Sequence, residues 1–225
     1  MFERFAIYYA PEGDLAEAGA AWLGWDLARG AVRAHPEISG IDLAALTRRP
    51  RKYGMHGTVK PPFVLAEGQD LPALSAAFEQ MCAGLPVVPL GRLELRWLGH
   101  ILALVPVEES EALKDLAAQV VRGLDRFRAA PSQDELARRR ARGLSAVQER
   151  NLRDWGYPDV MEAFRFHITL SGPVRRDRDA VYGAAAAYFA PYLGGGFQAR
   201  SLTLVGQDAD GMFHQIQRCG LTGAR

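Results

Sequence analysis

Cysteine is scarce in this 225-residue chain, and the only two, Cys82 and Cys219, are too few for a disulfide framework and lack metal-ligand spacing. A reducing compartment is expected, with the cytoplasm as the default location. No run of about 18 apolar residues occurs, so no membrane association is expected. The opening segment Met1–Pro11 lacks a basic region followed by an apolar stretch and a small-residue cleavage site, which reads as a soluble, unprocessed protein. An excess of one charge is missing as well. The 27 Lys and Arg nearly balance 26 Asp and Glu, leaving a net charge of +1, so the chain lacks the basic footprint of a protein that grips long nucleic acid. A small anionic ligand suits it better.

Several catalytic signatures are absent too. Neither His-x-His nor His-Glu-x-x-His occurs, so no metal site is expected, and nothing calls for a cofactor. Gly194-Gly-Gly196 lacks the lysine and hydroxyl residue of a phosphate-binding P-loop and reads as a flexible turn. A Gly-x-Ser-x-Gly nucleophile elbow is not present. What the chain does have is 48% hydrophobic and 24% charged residues, enough to bury a core in one compact domain over 1–225 or in two closely packed lobes.

The order of elements repeats. The aromatic segment Phe2–Pro11 reads as a strand, followed by a helix in which Asp14 and Glu17 suggest a capping box and Leu15, Ala18, Trp22 and Leu23 recur at helical spacing. Residues 28–52 read as loop with one short helix at most. From His56 come a short strand, a helix with Leu71, Leu74, Phe78, Met81 and Leu85 on one face, and two strands (Leu93, Leu95 and Trp97 alternating, then Ile101–Val107) around Gly99-His100. The same order recurs from His167: a short strand, a helix from near Asp177 with Val181, Ala184 and Tyr188 inward, then Ser201–Val205 and Met212–Arg218. This is a repeat of supersecondary structure, and each half opens on a histidine. It implies a pseudo-twofold arrangement around a central cleft.

Both histidines sit in the pattern His-x-Thr-apolar: His56-Gly-Thr58-Val59 and His167-Ile-Thr169-Leu170. Side chains two apart on a strand share a face, so each motif presents an imidazole and a hydroxyl to one side. Extending the alternation sets Lys60 beside His56 and Thr58, and Arg165 and Ser171 beside His167 and Thr169. Two imidazoles, two hydroxyls and flanking cations form an inventory suited to a phosphoryl group. Hydroxyls donate to nonbridging oxygens, cations offset charge, and histidine can give or take a proton near neutral pH. The expected catalytic residues are His56, Thr58, His167 and Thr169, with Lys60, Arg165, Tyr53 and Tyr157 as substrate-binding candidates. His35, His100 and His214 lack this context and read as structural or exposed.

These motifs make the chain resemble the 2H phosphoesterase superfamily, which includes bacterial RNA 2',3'-cyclic phosphodiesterases first described as 2'-5' RNA ligases. More closely, Phe5-Ala-Ile-Tyr-Tyr-Ala-Pro11, Trp22-Leu-Gly24, Tyr53-Gly-Met-His-Gly-Thr-Val-Lys-Pro-Pro-Phe63 and Phe164-Arg-Phe-His-Ile-Thr-Leu170 are similar to its DUF1045 branch, often described as phosphonate metabolism proteins. The resemblance implies an α+β fold, bilobal and duplicated, with two mainly antiparallel sheets flanking the cleft and helices outside. It implies hydrolysis of a cyclic phosphodiester. The substrate is then a small sugar or nucleotide cyclic phosphate, or alternatively an RNA end bearing a 2',3'-cyclic phosphate. A noncatalytic nucleotide- or phosphate-binding module is the reading from a different class. A nearly symmetric cleft leaves the acid and base roles open between the two histidines, and nothing in the sequence specifies an oligomeric state.

Between the halves lie a helix with Leu113, Leu116, Val120, Leu124 and Phe127 on its core face and a polar helical insert over 132–155. Residues 126–153 hold eight arginines against three acids, including Arg138-Arg-Arg-Ala-Arg142. As a charge run it reads as a solvated helix face, and it departs from the shorter RNA-processing members.

Overall fold

The first strand, β1 (Arg4–Tyr9), is packed on both faces, which is why its apolar residues do not alternate with polar ones. Phe5, Ile7 and Tyr9 enter one hydrophobic cluster, while Ala6 and Tyr8 enter another with Val205 and Phe213. The computed structural model describes residues 1–224. After β1 comes α1 (Gly13–Leu23), with Leu15, Ala18, Trp22 and Leu23 buried as their spacing requires. The expected capping box is not formed. The helix starts earlier than the motif requires, with Glu12 at the N-cap making no side-chain bond, so Asp14 falls inside the first turn, where a carboxylate suits the helix dipole.

Then come two short strands, β2 (Trp25–Asp26) and β3 (Ala31–Val32), the second within the segment expected to be loop, and the five-residue α2 (Leu43–Thr47), which is the one short helix allowed there. Then follow β4 (Gly57–Phe63), α3 (Leu71–Gly84), β5 (Val88–Gly91), the hairpin β6 (Leu93–Leu98) and β7 (Ile101–Pro106), and α4 (Glu111–Gly123). The insert forms α5 (Gln133–Arg140) and α6 (Ala146–Trp155). Ser132 caps α5, and Ser145 with Gln148 makes a full capping box on α6. The chain ends with β8 (Ile168–Thr169), α7 (Arg178–Phe189), β9 (Phe197–Ala199) and the hairpin β10 (Ser201–Gln207) and β11 (Phe213–Gly220). In α7 the buried positions are Val181, Ala185 and Phe189, so the inward face is one residue on from Ala184 and Tyr188.

Seven strands pair in the order β11-β10-β1-β4-β8-β7-β6, all antiparallel. Its two halves meet at a single register pair, Gly57 with Ile168, which joins the two histidine strands. The repeat units interlock across that seam. The β6–β7 hairpin of the first unit pairs with β8 of the second, and the β10–β11 hairpin of the second reaches β4 through β1. The helices exchange in the same sense, α3 packing under β10 and β11 and α7 against β6. This is the α+β, duplicated, mainly antiparallel architecture that the resemblance implied, with the two expected sheets joined into one along the seam. Among the described residues no helix is long and apolar enough to cross a membrane.

Candidate active site

The seam between β4 and β8 sets the geometry. Gly57 lies opposite Ile168, so continuing the antiparallel register one residue each way puts His56 against Thr169 and Thr58 against His167. The two motifs thus lie side by side across the seam. Gly57 itself turns toward the core, where an added Cβ would overlap the ring of Phe166. Tyr8 pairs with Thr58 across β1 and β4 and therefore shares its face.

Both histidines are locked in the same way. The Nδ1–H of His56 donates to the carbonyl of Gly54 at 3.0 Å, and that of His167 donates to the carbonyl of Arg165 at 2.9 Å, each two residues back. A carbonyl can only accept, so Nδ1 carries the proton in both rings and Nε2 is left for chemistry. Gly54 makes its lock possible with φ +67°, a conformation costly for other residues, and a Cβ there would sit 2.8 Å from that of Leu27. The Nε2 of His56 lies 3.1 Å from the Thr58 hydroxyl. Tyr8 stacks on the imidazole with ring centroids 3.8 Å apart, and Tyr53 flanks it at 5.9 Å. Desolvation in this aromatic niche lowers the His56 pKa to about 4, the Gly54 bond opposing and the nearby His167 reinforcing the shift. His56 is therefore neutral at pH 7.

Around these rings opens a cleft of about 1070 Å³, lined by His56, Thr58, His167 and Thr169 together with Tyr53, Tyr157 and Arg165. Seven of the eight expected site residues therefore share one cavity. Lys60 is the exception. Its side chain is 2% exposed on the opposite side of the sheet, and the ammonium donates to the carbonyl of Val121 at 3.0 Å, with Asp125 at 3.4 Å. A bulge causes this: Tyr8 pairs with Thr58 but Ile7 pairs with Lys60, so one step on β1 matches two on β4. The extra residue flips the alternation, and Lys60 follows Ile7 into the core. Ser171 is likewise outside the cleft; it is buried, accepting from Leu102 N and donating to the Gly172 carbonyl. His35 bonds the Trp22 carbonyl and His214 pairs with Asp208, so both are structural, and His100 is exposed.

Four cleft arginines went unassigned as ligand residues in the sequence: Arg4, Arg138, Arg139 and Arg142. Arg4 shares the even-numbered face of β1 with Tyr8, a signal hidden because both faces of that strand are apolar. The other three come from the insert, which is not simply a solvated face. Its position is fixed by α6, where buried Asn151 donates to the carbonyls of Pro158 and Val160 and Leu152 is fully buried. Among the described residues, five arginines, Arg165 included, line the cleft against two acids, Glu135 and Asp159. The cleft is thus locally basic on a nearly neutral chain.

A family model described as "Protein of unknown function (DUF1045)" matches residues 58–214. The chain belongs to the DUF1045 family. Two curated relatives of this DUF1045 protein are both named ribose 1,5-bisphosphate phosphokinase PhnN. That of Janthinobacterium sp. (strain Marseille) is 36% identical over 196 residues, covering 83% of this chain and 43% of the relative. That of Laribacter hongkongensis (strain HLHK9) is 33% identical over 194 residues, covering 83% and 44%. The chain thus spans less than half the length of either. Among solved structures, E. coli LigT complexed with ATP superposes with a TM-score of 0.50 at 13% identity over 98% of both chains. TT0787 of Thermus thermophilus does so with 0.50 at 14% identity over 99% of this chain and 100% of that one. At such identities the likeness concerns the fold alone, which is shared with E. coli LigT.

Proposed function

We propose that this DUF1045 protein is a cytoplasmic, metal-independent phosphoesterase that hydrolyses a small cyclic phosphodiester by two-histidine acid and base catalysis. The observation that carries the reading is the pair of equivalently locked imidazoles, His56 and His167, each just before one of two adjoining strands and lining one cleft. His56, held neutral by burial, is the base. Its Nε2 takes a proton from water, the oxygen attacks phosphorus, and His167 protonates the ring oxygen as its bond to phosphorus breaks, giving a monoester with a free hydroxyl. Thr58 and Thr169 donate to nonbridging oxygens, and Arg165 offsets the charge that builds on them. A phosphoryl oxygen that engages the Thr58 hydroxyl releases Nε2 for the proton transfer. Tyr53 and Tyr157 wall the site.

The relatives are named for a kinase of ribose 1,5-bisphosphate, and a sugar cyclic phosphate linked to phosphonate metabolism is the substrate class we favour over an RNA end. The test is parallel hydrolysis of ribose cyclic phosphates, 2',3'-cyclic nucleotides and oligoribonucleotides ending in a 2',3'-cyclic phosphate. Turnover of the small esters with weak salt dependence supports the proposal. Preference for the oligomers, with binding that falls steeply as salt rises, would assign the cleft to RNA. Tight nucleotide binding with no turnover of any diester would make it a binding module.

A further inference from the structure

The geometry points to a second anion-binding subsite at the insert, built by Arg138, Arg139 and Arg142, so that the substrate carries a phosphomonoester remote from the diester being cleaved. This inference rests on the phosphoesterase reading for which end of the substrate reacts, and adds what holds the other end.

Three of the four arginines in Arg138-Arg-Arg-Ala-Arg142 line the cleft, and the fourth does not. The odd one out, Arg140, is neutralised by Glu149 through Nε at 2.9 Å and Nη2 at 2.6 Å. Arg138 and Arg142 have no carboxylate partner among the described residues; Arg138 lies in the last turn of α5 and Arg142 just past its end. Basic residues in a last turn also suit the helix dipole, but that role is indifferent to which of them face a cavity. Arg139 adds a second observation. Its guanidinium lies 4.3 Å over the Tyr157 ring and pairs with Glu135, yet its Nε is buried without a hydrogen-bond partner. An unmet charged donor in a cavity is costly unless a ligand fills it.

The cleft acids cancel only part of this charge, leaving Arg138 and Arg142 without a counter-ion among the described residues. Glu135 is taken by Arg139, and Asp159 accepts from Gln148 at 2.8 Å. Tyr157 lies against Arg139 and lines the same cleft as Tyr8 and His56. A planar guanidinium cluster matches the oxygens of a terminal phosphate, which carries more charge than the diester and offers three acceptors. One to two charge-assisted bonds to it are worth about tenfold or more in affinity.

The experiment is calorimetric titration with adenosine 3',5'-bisphosphate and adenosine 3'-monophosphate, on the wild type and on the Arg138→Ala/Arg142→Ala double variant. Both side chains are exposed, so the fold should survive, and a thermal melt checks it. The expected result is a bisphosphate preference of about tenfold or more in the wild type that falls to near one in the variant. Equal affinities in the wild type, a preference the variant leaves unmoved, or no binding of either probe overturns the subsite. Hydrolysis of adenosine 2',3'-cyclic phosphate with and without a 5'-phosphate is followed alongside. No turnover of either, with the affinity difference intact, counts against the phosphoesterase reading alone, whereas equal turnover and equal affinities count against the subsite alone.

Discussion

Replacing Lys60 with Met separates a core role from a cleft role. Desolvation lowers the Lys60 pKa from 10.5 to about 8, with Asp125 opposing the shift. That gap corresponds to about 3 kcal/mol of burial cost, carried in full while the lysine is charged in both folded and unfolded chains, below about pH 8. Between about 8 and 10.5 the folded protein sheds this proton first, so the cost is relieved and stability rises with pH. Met fills similar volume with no charge to desolvate. Against that gain stands the Val121 carbonyl left without its donor, about 1–3 kcal/mol. Asp125 keeps Arg128 at 2.8 and 3.0 Å. Lys60→Met should therefore be about as stable as the wild type at pH 7, and the wild type should gain on it by up to about 3 kcal/mol as the pH approaches 10.5. Urea unfolding of both proteins from pH 7 to 10 measures this, with hydrolysis followed at pH 7. Parallel stability curves, or loss of hydrolysis in a folded variant, would refute the placement of Lys60 in the core.

Three further outcomes are expected. The acid limb of rate against pH should fall with a midpoint near the His56 value of about 4; a midpoint near its ordinary 6.5 would show that burial does not hold the ring neutral. Gly57→Ala forces a methyl group into the Phe166 ring next to His167, and should cost about 1–3 kcal/mol in a thermal melt together with turnover; an unchanged melting temperature would count against that packing. Tyr8→Phe removes a buried hydroxyl that has no partner and faces the cleft. Thermal stability should hold or rise by about 1 kcal/mol, and calorimetry of product binding then reads whether the hydroxyl is reserved for a ligand.

The histidine pair is legible because two local regularities coincide in it: period-two alternation, which places His and Thr on one face, and a repeat that delivers both motifs to one seam. Lys60 obeyed the same alternation on paper and was misplaced by it. The bulge that turns it inward arises from how β4 registers against β1, far away in the chain, and no residue near Lys60 announces it. The direction of the insert was similarly out of reach. Charge runs on helices are usually solvated, and the contacts that orient this one, Arg140 with Glu149 and Arg139 with Tyr157, are made between separate segments in and just after the insert. Tyr8 escaped notice because a strand packed on both faces has no polar side to mark. The interlocking of the repeat units depends on sheet order and could not be read from element order alone.

The most direct measurement is the hydrolysis rate of a ribose cyclic phosphate by His56→Ala, His167→Ala and the double variant, each confirmed as folded by its thermal melt. If the two imidazoles act as a base and acid pair, each single variant loses about 100- to 10,000-fold in kcat, and the double loses far less than the product of the two. Undiminished turnover in either single variant would contradict the account.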